Sequence, residues 1–139
     1  MDGFAYNRCD LQGEREPQRV SIESVLSDLV SDVEGATGAI ILAADGEAVQ
    51  WHTAADAEQL RLRGAYIAVA VQTYRESIAR KELGAMRELV LEYDGSSFVA
   101  HEIDNDCFVA IELAASANIG EAMFRLGPAA TRLRNELMY

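Results

Sequence analysis

The sequence predicts an α+β fold: a five-stranded antiparallel sheet with one long helix on one face and the two terminal helices on the other. Three observations lead there. Short apolar runs alternate with stretches of helical periodicity in the order helix, two strands, helix, three strands, helix. Asp45-Gly46 and Asp94-Gly95 each separate two strand-like runs, where a glycine at positive φ can close a hairpin. The long second helix is apolar on two opposing sides, so it must be covered twice. A chain of 139 residues, 50% of them hydrophobic, has room for one domain with a proper core and not for two.

Residues 1–20 contain Gly3, Gly13 and Pro17 and show no apolar period. They are expected to form a flexible leader or to drape over the domain, which takes up 21–139. Met1 to Tyr6 shows no basic region followed by an apolar stretch, so no signal peptide is expected. Ser21 suits an N-cap, and Ile22, Val25, Leu26, Leu29, Val30 and Val33 then fall at helical spacing. Gly35 and Gly38 end this helix and open the first strand, Thr37 to Ala43, whose unbroken apolar character suits a central strand. In the second strand, Glu47 to Thr53, Val49 and Trp51 alternate with Gln50 and His52.

Asp56 is the expected cap of the second helix, about 57–80. At about 100° per residue, Leu60, Ile67, Val71, Tyr74 and Ile78 form one stripe, with Leu62, Ala65 and Val69 roughly opposite. The sheet covers one stripe. A partner helix is the economical cover for the other, with Gly64, Ala65 and Ala68 small enough for close approach. The third strand, Arg87 to Tyr93, places Leu89, Leu91 and Tyr93 on one face; the fourth is Ser97 to Ile103 and the fifth Cys107 to Leu113. The last helix runs from about Asn118 to Leu137, with Ile119, Met123, Leu126, Leu133 and Leu137 facing inward. A kink or break is expected at Gly127-Pro128.

Lys and Arg number 12 against 23 Asp and Glu, a net charge of −11. That balance argues against nucleic acid and anionic membrane surfaces and suits a protein partner bearing a basic patch. The longest uncharged apolar run, Gly64 to Val71, is far too short to span a membrane. Cys9 and Cys107 are distant in sequence and are expected to stay reduced, with the cytoplasm as the default compartment. No phosphate-binding loop, nucleophile elbow, HExxH or CxxC is present, so neither a cofactor nor a catalytic residue is expected. His52 and His101 sit on strands without a ligand cluster around them, so no metal is expected. Asp104 and Asp106 would need a Glu where Ala115 stands to make a calcium loop, and are read as turn residues. Glu88, Glu92 and Glu102 are read as a solvated sheet face, and Cys107 as core packing.

Four segments resemble the roadblock (dynein light chain type) family, which includes bacterial and archaeal regulators of small GTPases. They are Val25-Leu26-Ser27-Asp28-Leu29 leading into Val33-Glu34-Gly35-Ala36; Gly38 to Glu47; Arg87 to Glu92, following an Ala-rich helix and Leu83-Gly84; and Ala117-Asn118-Ile119-Gly120. The resemblance covers about Ile22 to Leu137 and leaves the leader outside it. It implies a profilin-like sandwich that homodimerises, with second helices packed antiparallel and sheets joined through the third strand. Carried onto this sequence, that dimer interface takes in Leu62, Ala65, Val69, Thr73, Arg87, Leu89 and Leu91, with Glu76 beside the helix layer. The resemblance also implies a small Ras-like GTPase docked on that layer, with Arg61, Arg63, Arg75 and Glu76 as candidate contacts. The family has no invariant catalytic residue to carry over. The expected function is therefore that of a non-enzymatic homodimeric regulator of a small GTPase, with GTPase activation as one outcome of that binding. The alternatives are a scaffold subunit of a motor, signalling or polarity complex without effect on GTP hydrolysis, and a small-molecule sensor domain.

Overall fold

In a computed structural model, which describes residues 16–79, 82–104 and 106–137, the elements follow in the predicted order. They are α1 (Glu16–Asp32), β1 (Ala36–Ala43), β2 (Ala48–Thr53), α2 (Ala57–Ala79), β3 (Glu88–Glu92), β4 (Ser96–Asp104), β5 (Cys107–Ala114) and α3 (Ile119–Leu137). The strands form one antiparallel sheet in the order β2-β1-β5-β4-β3. The two most uniformly apolar strands, β1 and β5, therefore lie inside the sheet, where both of their faces are covered.

Alternation along the strands feeds two cores. Ala39, Ile41, Val99, Ile103, Val109 and Ile111 meet α1 and α3 on one face. Ile40, Leu42, Phe98, Ala100, Phe108 and Ala110 meet Leu60, Ile67, Ala68 and Val71 of α2 on the other. Gly64 lets α2 come close to β1: a Cβ there would stand 3.2 Å from Ile40 Cδ1 and 3.3 Å from Leu42 Cδ2. Gly64 and Ala68 thus serve the contact with the sheet, not the expected approach of a partner helix. Tyr74 also departs from expectation. It is exposed, although its angle places it in the predicted stripe.

Local signals explain the element ends. Asp56 Oδ1 accepts from the N–H groups of Glu58 (2.9 Å) and Gln59 (3.3 Å), and Asn118 Oδ1 from that of Glu121 (3.1 Å), as N-caps do. α1 already includes Glu16, ahead of the expected cap Ser21. α3 runs on through Pro128 without a break. The β1–β2 turn is not the two-residue primed turn. Ala43 O accepts from Gly46 N at 2.9 Å, Ala43 N donates to Glu47 O at 2.9 Å, and only Gly46 (φ +94°) is left-handed. That is a three-residue loop closed by a glycine. Gly35 is required twice over: its φ is +90°, and a Cβ would lie 2.7 Å from Ala117 Cβ.

Asp104 Oδ1 accepts from the N–H groups of Asp106 (2.7 Å) and Cys107 (3.1 Å), which is the turn role expected of it. Cys107 is bonded in a disulfide, which corrects the expectation of a reduced thiol; Cys9 lies outside the described residues.

Candidate protein-binding face

The outer side of α2 carries an apolar stripe that nothing in the described residues covers. Leu62 is 50% exposed, Tyr66 68% and Val69 64%. Their i, i+4, i+7 spacing sets them in one line along the helix, opposite Leu60, Ile67 and Val71. Ala65 is half-buried beside this line and Thr73 extends it, exposed. The five-residue strand β3 lies at the edge of the sheet, bonded to β4 on one side only. Its Leu89 and Leu91 tuck toward the α2 core and are half-buried, while Arg87 just before the strand is exposed. Between α2 and the β3–β4 hairpin lies an open cavity of about 410 Å³, lined by Arg63, Tyr66, Ile67, Tyr93, Ser96 and Phe98.

Each of the three arginines expected to contact a partner already has an intramolecular one. The Arg61 guanidinium lies 4.8 Å from the centroid of the Trp51 ring, a cation–π contact. Arg63 Nε donates to Glu112 Oε2. Arg75 Nη2 is 3.7 Å from Glu102 Oε2, with both side chains about four-fifths buried. Glu102 is thus part of an ion pair rather than a solvated sheet face. Glu76 is exposed. Among the described residues no group of three or more His, Cys, Asp or Glu is placed to hold a metal ion. No helix of the described residues is long and apolar enough to cross a membrane.

No protein-family model matches the chain. No curated protein matches it in sequence. Solved structures do match in shape. A Roadblock/LC7 domain from Streptomyces avermitilis superposes with a TM-score of 0.76 at 20% identity, covering 84% of this chain and 97% of that one. The gliding protein MglB of Thermus thermophilus gives 0.80 at 12% identity, covering 89% and 93%. The fold is that of the roadblock domains. Profilin II of Acanthamoeba castellanii, at 0.56 and 13% identity over 81% of this chain and 96% of that one, shows the wider sandwich architecture to which it belongs.

On this roadblock fold the residues expected at a dimer interface fall into two groups. Leu62, Ala65, Val69 and Thr73 share the outer side of α2. Arg87, Leu89 and Leu91 lie at the β3 edge of the sheet that α2 covers. Sequence reasoning passed over Tyr66, although it sits four residues after Leu62 and three before Val69. It also passed over Glu112, whose burial at 6% exposure is unusual for a carboxylate. Thr37 Oγ1 donates to Glu112 Oε1 at 2.8 Å, so Arg63 and Thr37 together satisfy both oxygens. The available signal was a lone Glu in an otherwise apolar strand.

Proposed function

We propose that the chain is a homodimeric regulator that binds a small Ras-like GTPase through the α2 layer, and is not itself an enzyme. The exposed line Leu62-Tyr66-Val69 carries this reading. Three large apolar side chains in a row on one helix are a surface that association would bury. The edge of β3 beside it, unpaired among the described residues, suits extension of the sheet into a second copy. The roadblock resemblance implies both contacts, with the GTPase docked on the paired helices. Arg61, Arg63 and Arg75 support a particular version of this mechanism. Each is held within its own chain, so the dimer acts by binding and positioning the switch loops rather than by lending a guanidinium from α2 to the developing phosphoryl charge. The net charge of −11 suits a basic partner surface.

Val69→Glu places a charge at the centre of the apolar line and is expected to halve the mass of the assembly in sedimentation at fixed protomer concentration. An unchanged mass moves the dimer elsewhere. For the partner, tagged protein is incubated with native lysate in excess GTP analogue or GDP and the retained proteins identified. A Ras-like GTPase held only in the GTP state is the expected result, and its hydrolysis rate with and without the chain separates activator from scaffold. Retention of other proteins with no GTPase in either state refutes the GTPase reading.

A further inference from the structure

The face of the sheet away from α2 carries a second apolar patch, which nothing in the described residues covers and which the α2 reading does not use. It lies on the outer seam between α1 and α3. Phe124 is 75% exposed there, and its neighbour Met123 is 38% exposed. Beside Phe124 a slot of about 220 Å³ opens between the two helices, floored by Val25, Leu29, Pro128 and Ala129. The α1 wall of this slot is acidic, through Asp28 and Asp32, and the α3 wall is basic, through Arg125 and Arg132. One cross-wall pair, Arg132 Nη1 to Asp28 Oδ2, stands at 3.9 Å with both side chains about three-fifths exposed, so it holds the two charges only weakly.

We propose that this seam is a second self-association surface, whose occupant is the same seam of another copy. The charge layout favours that occupant over a foreign chain. A two-fold axis running along the seam sets the α1 of each copy over the α3 of the other. Asp28 and Asp32 then face Arg132 and Arg125 twice, as an isologous contact requires. Knob and slot lie in one patch, so Phe124 of each copy meets the slot of the other. On a chain of net charge −11, most surfaces of two copies repel; the seam, with two carboxylates and two guanidiniums, is locally neutral. The exposed charges set register, while Phe124 and the apolar floor supply the affinity. The surface is independent of the α2 layer because it lies across the sheet from it. Used together, the two surfaces join α2-linked dimers into larger assemblies.

The test is sedimentation velocity over a concentration series with the full chain, Phe124→Ser, Asp32→Arg, Arg125→Asp and a 1:1 mixture of the last two. All three positions are exposed, and thermal unfolding of each variant checks that it folds as the parent does. At high concentration the parent is expected to reach at least twice the mass of Phe124→Ser, since each α2-linked dimer carries two seams, and each charge variant alone to match Phe124→Ser. The mixture is expected to regain the parent mass. The cation introduced at position 32 of one copy then meets the carboxylate introduced at position 125 of the other, while native Arg125 meets native Asp32. Equal masses for parent and Phe124→Ser at every concentration overturn the proposal, as does a mixture that fails to recover. The same series on a Val69→Glu background keeps this apart from the α2 reading. The doubling that depends on Phe124 persists there, whatever becomes of the α2 contact.

Discussion

Arg63 and Glu112 form an unequal pair, and the inequality can be measured. The Glu112 side chain is 8% exposed and that of Arg63 is 42% exposed. Removing Arg63 strands a buried carboxylate that keeps, among the described residues, the Thr37 hydroxyl, 2.8 Å from Oε1. Breaking a fully buried pair costs about 3–5 kcal/mol. Here the half-exposed guanidinium is screened by water and the hydroxyl remains, which brings Arg63→Ala to about 2 kcal/mol. Glu112→Gln is milder. Its amide oxygen still accepts a hydrogen bond, and the freed guanidinium is already partly in solvent, for a loss of about 1 kcal/mol or less. The double variant Arg63→Ala/Glu112→Gln has no stranded charge, so it should be more stable than Arg63→Ala alone by about 1 kcal/mol, and the two single losses should not add. For a chain of this length about 4 °C in Tm accompanies each kcal/mol, so Arg63→Ala should melt about 8 °C lower. Circular dichroism melts at one fixed protomer concentration read all three variants. Equal and additive losses for the two single variants would refute the claim that burial of the carboxylate, rather than the contact itself, dominates.

Three further outcomes follow from the geometry. Gly35→Ala should cost about 2–3 kcal/mol in urea unfolding, because a left-handed φ and a 2.7 Å approach to Ala117 Cβ both oppose a side chain there. Asp56→Ala should cost about 1 kcal/mol, since it removes the acceptor for the N–H groups of Glu58 and Gln59 at the start of α2. Arg61→Ala should shift the emission of Trp51, the chain's single tryptophan, and lower stability by about 0.5 kcal/mol; an unchanged spectrum would show that the cation–π contact is not populated in solution.

The element order was legible because each signal acts locally. Period-two alternation in β2 and β3, the cap Asp56 and the positions of the Asp-Gly turns, though not their type, depend on neighbours within a few residues. The two-sided character of α2 was legible for the same reason: Leu62 and Val69 lie opposite Leu60 and Val71 whatever surrounds the helix. What escaped depends on distant contacts. Gly64 and Ala68 look equally suited to a sheet or to a partner helix, and only the position of Ile40 and Leu42 decides between them. Tyr74 belongs to the inner stripe by angle, yet it stands exposed.

The candidate site shows the same division more sharply. The sequence presents Arg61, Arg63 and Arg75 as three cations on one helix, which invites their assignment to a partner. Their actual partners, Trp51, Glu112 and Glu102, sit on β2, β5 and β4, which no helical period can reveal. Two of the three tie α2 to the sheet through ion pairs, and the third rests on an aromatic ring. Substituting them therefore tests the seating of α2 before it tests a partner, and a loss of binding in Arg63→Ala means little unless stability is held constant. Tyr66 and Val69 are free of this ambiguity. Both are about two-thirds exposed, so a substitution there that weakens association without lowering the melting temperature reports on the surface alone. The α2 layer is best tested through the apolar side chains that the protomer leaves unburied, not through the charges it has already used.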